Sequence, residues 1–482
     1  RRGLLLLFWE FFFDPVHRFR IISILMGDII MEKKKRGFSR TIEMTSGSLW
    51  KNIFLFSLPL MFSQILEVLF NLSDVAIVGR FSSYQALGSV GSTTLLVTLF
   101  TGFLIGMGAG VNVRTAHELG AGNQDNITKT IHTSLLVCLA VGLIICTICI
   151  LFSENILHLL NTKDELIDGA VLYMKIYSLG MPAMAIYNFG NGVLSARGDT
   201  TKPLFYLSIA GVLNVILNLI FVIYFHMAAE GVALASAIAQ YVSAALIIIN
   251  LLRRNDECKL YPSKLRFHKQ ASLAVLMLGI PAGIQNAIFA LANLFVQTGL
   301  NSFDAVTVSG NSAAINADTL VFNLMYAFYI AGSSFISQNY GAKNKKRMLQ
   351  SYFISVFYAF AAGAIFGILL LLFGRQFLSL FATNPDVISA GLQRIKIMWF
   401  AYCISAFMDG SIAASRGIGK TIVPTILVII GSCVFRVVWI YTIFAHFHTI
   451  PSLYLLYFFS WVLTSIVEII YFAISFHKVK MD

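Results

Sequence analysis

Apolar stretches long enough to cross a bilayer recur along nearly the whole chain, separated by short polar segments. A helical span needs about 20 mostly apolar residues. Twelve such stretches cover residues 52–76, 87–113, 130–152, 168–194, 203–224, 231–252, 271–299, 311–336, 349–373, 388–414, 421–445 and 452–475. Their apolar runs are continuous, without the alternation of membrane-barrel strands. In lipid a segment must satisfy its own backbone hydrogen bonds, so each stretch is predicted to be a helix. The predicted fold class is an all-α polytopic membrane protein.

Composition agrees: of 482 residues, 57% are hydrophobic and only 12% charged, too little polar surface for a water-soluble chain of this size. The formal charge of +12 would suit a nucleic-acid binder until its placement is examined. With the N-terminus inside, about two dozen Lys and Arg fall on cytoplasmic segments, and only Arg80, Lys163 and Arg375 on the opposite loops. This asymmetry sets topology, with both termini cytoplasmic, and no nucleic-acid partner is expected. Five of the six cysteines lie in predicted spans and Cys258 in a loop; none has metal or disulfide-framework spacing, so they read as small core residues. Residues 1–30 carry an apolar run, Leu4–Phe13, too short to span and broken by Glu10, with Asp14 and Pro15 following. We expect this segment to be an extension or surface helix outside the functional core.

The two halves repeat. Leu58-Pro59 answers Ile280-Pro281 and Gly120-Ala121-Gly122-Asn123 answers Gly341-Ala342-Lys343-Asn344, while Ser195-Ala196-Arg197-Gly198 answers Ala414-Ser415-Arg416-Gly417. The offsets are 222, 221 and 219. Each half has an even number of spans, so both point the same way and are related by an axis along the membrane normal. The expected organisation is a tail over 1–50, an N-lobe over 51–252, a basic linker over 253–270 and a C-lobe over 271–482. Two-lobed repeat proteins place a substrate path between lobes near mid-membrane.

Ionisable groups inside a membrane are costly and therefore candidates for function. Gln64, Glu67, Asn71 and Asp74 occur at i, i+3, i+7 and i+10, one face of the first helix. A carboxylate among amides can hold a proton or a small hard cation; a stripe of interhelical hydrogen bonds is the plainer alternative. Asn286 and Asn293 answer Gln64 and Asn71, whereas Phe289 and Val296 replace the carboxylates, which points to ion chemistry in the N-lobe. Asn191, Asn214 and Asn218 offer further carbonyl oxygens to a cation or, alternatively, simply bond across helices. In the C-lobe Asp409 is the candidate acid, Asp318 reads as a wet helix end, and Lys175, Arg394 and Lys396 sit where they could snorkel. Arg436 is the main buried cation, placed to neutralise an acid or meet an anionic substrate. Gly102–Gly110 lacks the Lys-Ser/Thr of a phosphate loop and reads as close helix packing or a hinge. No nucleotide-binding loop occurs elsewhere, and no Ser-His-Asp, HExxH or CxxC…CxxC constellation is present, so ATP-driven pumping by this chain alone is not expected, which leaves secondary transport.

With Leu58-Pro59, Gln64, Asn71-Leu72-Ser73-Asp74-Val75-Ala76-Ile77-Val78-Gly79-Arg80, the paired Gly-Ala-x-Asn loops and the Arg-Gly turns, the chain resembles the multidrug and toxic compound extrusion (MATE) family over roughly residues 45–478. The resemblance implies two six-helix bundles around a central cleft, and export of organic cations in exchange for Na⁺ or H⁺, without another cofactor. It implies a monomer among the lipids of a bacterial cell membrane. By position it assigns ion coupling to Asp74, Glu67, Asn191, Asn214 and Asn218, with Asp74 the possible Na⁺ ligand. The substrate cleft is assigned to Gln64, Asn71, Gln285, Asn286, Asn293 and Asp409. Asn218 departs from the family's frequent Asp, and no counterpart of a seventh-helix Glu occurs near Ala290. A drug exporter predicts a cleft of net acidic lining. A flippase for lipid-linked sugars, the alternative, predicts several cavity arginines for the pyrophosphate; a membrane-embedded enzyme or a channel fits the sequence less well.

Overall fold

In a computed structural model the structure describes residues 41–160 and 162–479, so the expected extension over 1–30 lies outside the described residues. The N-lobe comprises α1 (Leu49–Phe81), α2 (Tyr84–Ala121), α3 (Gln124–Leu159), α4 (Asp164–Ser178 and Met181–Ala196), α5 (Thr201–Leu219, ending in a π-helical turn, Ile220–Tyr224) and α6 (Ala229–Arg253). The C-lobe comprises α7 (Lys269–Leu300), α8 (Ala305–Gly341), α9 (Lys345–Leu378), α10 (Pro385–Gly417), α11 (Ile422–Phe447) and α12 (Ile450–His477). Eleven of these helices are long and apolar enough to span a bilayer, and the two pieces of α4, bent by 43°, make the twelfth. The bend has a local cause. Pro182 stands at the start of the second piece, where it removes an N–H and crowds the preceding turn. Gly180 lets the break press on α6, since a Cβ there would lie 2.1 Å from Gln240 Oε1.

Each lobe has its own apolar core, one including Leu104, Ile131, Phe189 and Ile247, the other Met325, Tyr402, Leu453 and Trp461. The repeat is visible in the polar backbone details. Asn123 and Asn344 cap α3 and α9 alike, each side chain accepting the N–H three residues on at 3.1 Å. That is the physical content of the paired Gly-Ala-x-Asn loops. The turns after α4 and α10 correct the sequence registration. Gly198 and Gly419 are the two with positive φ, +93° and +80°, and the bonds Asp199 N–H to Leu194 O and Lys420 N–H to Ser415 O, both 2.9 Å, occupy the same place in the turn. The offset here is therefore 221, not 219, and Pro203 matches Pro424 at the same spacing. Arg416 is the counterpart of Ser195 rather than of Arg197.

The lobes meet through α2 against α7 and α8, and α1 against α8. We call the end of the bundle carrying the 197–200, 254–268 and 342–344 loops the basic end, and the other the far end. Gly106 lies so close to Gly283 that a Cβ would come within 2.3 Å of its backbone nitrogen, and Gly110 meets Gly279 likewise at 2.6 Å. The glycine-rich 102–110 segment is thus a close-packing surface between lobes. At the basic end Gly120 faces the carbonyl of Gln338 and Gly341 faces that of His117, a reciprocal contact across the pseudo-axis. Ser334 Oγ donates to Asn112 Oδ1 at 2.8 Å, and Ser337 Oγ to Val113 O at 2.6 Å. Arg347 adds three bonds of 3.0 Å to the carbonyls of Met44, Ser46 and Gly47. The linker is strapped under the N-lobe: Tyr261 N–H donates to His132 Nε2 at 2.8 Å and Thr133 Oγ1 to Arg266 O at 3.1 Å.

Candidate transport site

Two polar sites emerge, one in each lobe. In the N-lobe, α1, α5 and α6 bring Asp74 to Asn218, Asn214 and Ser236. Asn218 Nδ2 donates to Asp74 Oδ1 at 2.5 Å, and Ser236 Oγ lies 3.3 Å from Asp74 Oδ2. With the Asn214 amide turned to satisfy its surroundings, its Nδ2 donates to Asp74 Oδ1 at 2.8 Å. The i, i+4 spacing of Asn214 and Asn218 puts both on the α5 face that packs against α1. The carbonyl oxygen of Asn218 is buried without a hydrogen-bond partner among the described residues. Unmet buried oxygens carry a desolvation cost that a proton or cation can relieve. The oxygens of Asp74 and Asn218 together suit a small hard ion. Ser236, in the alanine-rich stretch Ala233–Ala239 of α6, carries no sequence signal that distinguishes it.

Two residues assigned with Asp74 lie elsewhere. Asn191 accepts from Ser195 Oγ at 3.3 Å and lines the C-lobe-side cavity instead, because the bend in α4 turns its second piece toward the lobe contact. Glu67, two turns along α1 from Asp74, makes no hydrogen bond or ion pair among the described residues; its electrostatic neighbours are Tyr177, Tyr187 and Tyr326.

The second site is a cavity of about 560 Å³ bounded by α2 and α4 from the N-lobe and by α7, α8, α10, α11 and α12. Gln285, Asn286, Asn293 and Asp409 line it as expected; Gln64 and Asn71 do not, because α1 contributes nothing to its wall and Asn71 is exposed. The wall reaches Leu300 and Asn311 toward the far end, while the glycine contacts close the basic end. Its charged residues are Asp318, Asp409, Arg394, Arg416 and Arg436. The expected net acidic lining is therefore absent.

Asp318 is no wet helix end and Arg394 does not snorkel. Helix α8 starts at Ala305, which places Asp318 about 20 Å along it. There Arg394 Nε and Nη2 donate to Asp318 Oδ2 at 3.0 and 2.5 Å, Nη1 donates to Asn311 Oδ1 at 2.7 Å, and the Tyr402 hydroxyl donates to Asp318 Oδ1. Both ions are more than nine-tenths buried, and each satisfies the other. Among the described residues Arg416 and Arg436 form no such ion pair. Arg416 Nη2 reaches Gln285 Oε1 at 3.4 Å and Arg436 Nη1 reaches Asn293 Oδ1 at 2.9 Å; the Nε of each is buried without a hydrogen-bond partner among the described residues.

A family model, MatE, matches residues 59–220 and again 281–442, the two matches lying 222 positions apart. The chain belongs to the MatE family. MatE proteins are membrane transporters, not enzymes. The probable multidrug resistance protein YoeA of Bacillus subtilis (strain 168) is 24% identical over 387 residues, 79% of this chain and 84% of that protein. The FAD transporter of Shewanella oneidensis is 25% identical over 341 residues, 69% and 74% of the respective chains. A MOP superfamily transporter from Pyrococcus furiosus, whose structure is described by a binding pocket of reverse polarity, superposes with a TM-score of 0.85 at 19% identity, covering 92% of this chain and 99% of that one. This MatE chain therefore has the fold of that transporter, and its relatives place it in a bacterial plasma membrane with small-molecule substrates.

Proposed function

We propose that the chain is a secondary active antiporter that exports small organic molecules in exchange for Na⁺ or H⁺, with the ion at Asp74 and the substrate in the cavity between the lobes. The observation that carries this is the separation of two polar sites of different character. One is a tight oxygen cluster of Asp74, Asn214, Asn218 and Ser236; the other is a roomy, aromatic-lined cavity. Coupling requires ion and substrate to favour different lobe arrangements, since a ligand shifts an equilibrium only by its differential affinity. The lobes supply two arrangements if they rock about the glycine contacts. By the positive-inside rule the basic end faces the cytoplasm, so this arrangement, closed there, is the outward-facing one.

Organic cations are not kept as the substrate class, because the net acidic lining that would mark them is missing. Nor do the relatives' names agree on one: YoeA is named for drug resistance, and the Shewanella protein for FAD, which joins ring systems to phosphates. The cavity does hold three arginines, the mark set for a lipid-linked sugar flippase, but Arg394 is neutralised by Asp318 and no relative named above is such a flippase. The test is gradient-driven movement of fluorescent dyes, anionic and cationic, in proteoliposomes under separately imposed Na⁺ and H⁺ gradients. Asp74→Asn should abolish movement driven by one of the two gradients while the protein stays folded. Equal rates for wild type and Asp74→Asn would refute the assignment.

A further inference from the structure

We propose that the cavity takes an organic anion, a flat aromatic body bearing a sulfonate, phosphate or carboxylate, and that Arg436 receives the anionic group. The inference deepens the exporter reading above and rests on its placing the substrate in this cavity. The charge inventory comes first. Arg394 is used up by Asp318. Asp409 lines the same cavity as Arg416 and Arg436 and acts electrostatically on both, but among the described residues it forms no ion pair with either, and the N-lobe residues of the wall, such as Asn112, Asn188 and Asn191, are uncharged. One positive charge is therefore left over.

Arg436 holds that charge in a deliberate setting. It is 2% exposed yet lines the cavity, and among the described residues its one hydrogen bond is to Asn293. A buried guanidinium outside any ion pair is costly, and a ligand anion is what would offset it. The planar group lies 4.6 Å from the Tyr457 ring, with Phe289 and Trp461 within 5.9 Å. These rings give an aromatic substrate a face to stack on beside the charge. The backbone supports the same residue. Helix α11 is π-helical over Ile429–Val434 and again over Ile440–Phe444, and Arg436 sits on the short α-helical piece between. Such turns shift helical register, and they concentrate at functional sites.

A comparison of lobes sharpens the point. In the N-lobe the α1–α5 pair holds an acid, Asp74, against amides. In the C-lobe the equivalent α7–α11 pair holds an amide, Asn293, against a cation. Arg416 marks a second level: Gln285 and Asn293 are eight residues apart on α7, so the two arginines bond to it about 12 Å apart. Arg436 is the nearer to the far end.

The experiment is calorimetric binding, in nanodiscs, of naphthalene-2-sulfonate and of its trimethylammonium analogue, which share one ring system and differ in charge. Wild type should bind the sulfonate at least about tenfold more tightly, as expected of one desolvated charge-assisted contact. Arg436→Gln keeps a donor for Asn293 but removes the charge, and should erase that preference. Arg436→Lys should keep most of it. Equal losses in Arg436→Gln and Arg436→Lys would mean a merely structural arginine and would overturn the proposal. So would preference for the ammonium probe, or no binding of either probe to folded protein. Binding needs no gradient, which separates the two readings: sulfonate that binds but never moves under either gradient sinks the exporter and leaves this site standing. Gradient-driven movement of the ammonium probe alone sinks this site and leaves the exporter.

Discussion

Replacing Asp318 by Asn would strand Arg394 in the protein interior. The guanidinium is 4% exposed, and the carboxylate it would lose takes two of its N–H groups at 3.0 and 2.5 Å. Asn311 would remain, but an amide oxygen does not neutralise the charge. Removing one partner of such a pair costs roughly 3–5 kcal/mol, most of it the desolvation of the ion left behind. Arg394→Gln should cost a similar amount, because the Asp318 carboxylate would keep only the Tyr402 hydroxyl. The double variant leaves no unpaired charge, so it should fall short of the sum of the singles by at least about 2 kcal/mol. Unfolding titrations with SDS in mixed micelles measure all four corners of this cycle. Additive costs would show that the pair is not mutually dependent, and would undo the charge inventory of the cavity with it. Asp318→Asn also makes the cavity more positive, so any folded fraction should bind naphthalene-2-sulfonate more tightly than wild type.

Other expectations are separately checkable. Gly106→Leu would drive a side chain into the backbone of Gly283; it should disfavour closure of the basic end, read as a shortened distance between spin labels across the far end. Arg347→Gln removes three bonds to the Met44–Gly47 carbonyls and should loosen that segment, read as at least about tenfold faster proteolytic cleavage there, since hydrogen bonds to a charged group contribute about 1.5–3 kcal/mol each. Burial pushes the Cys258 thiol up to about 12, the neighbouring Asp256 adding to it, so iodoacetamide at pH 8 should leave Cys258 unlabelled until the protein is unfolded. Burial would raise the Asp256 pKa, but the Arg254 hydrogen bonds and charge outweigh it and hold that carboxyl below its ordinary 3.8. A depressed carboxyl stabilises above its unfolded pKa and stops doing so as pH falls through the folded one. Protection of the Cys258 amide, which donates to Asp256 at 3.1 Å, should therefore be flat above about pH 5 and fail only below 3.8.

Helices and the repeat were legible because continuous apolar runs and paired Gly, Asn and Pro positions are local facts. So was part of the Asp74 cluster, since spacing along one helix fixes which residues share its face. Ser236 was not, because its role depends on which turn of α6 packs against α1 and α5. Asp318 was misplaced for a related reason. The hydropathy pattern starts the eighth span at 311, whereas the helix runs from Ala305, capped by Asp304, and those extra turns carry Asp318 inside. Arg416 was matched to Arg197 through a shared Arg-Gly dipeptide, although the 221 spacing of Pro203 and Pro424 already argued against it; the turn's hydrogen bonds show that the register slips by two, and the cavity wall includes Arg416.

The reciprocal contact of Gly120 with Gln338 and Gly341 with His117 bears on how the molecule can be put together. Each half contributes the same kind of surface to it, as the protomers of a two-fold dimer do. The halves are nevertheless fitted to each other rather than to their own copies, since Met61 and Ser57 stand in the N-half where Gly283 and Gly279 admit Gly106 and Gly110; the covalent connection adds proximity more than specificity. The linker's described bonds up to Arg266 run to the N-lobe, so a break just before Lys269 would leave both pieces with their anchoring contacts. Two separately made polypeptides divided there have what they need to find each other in the bilayer and rebuild one transporter.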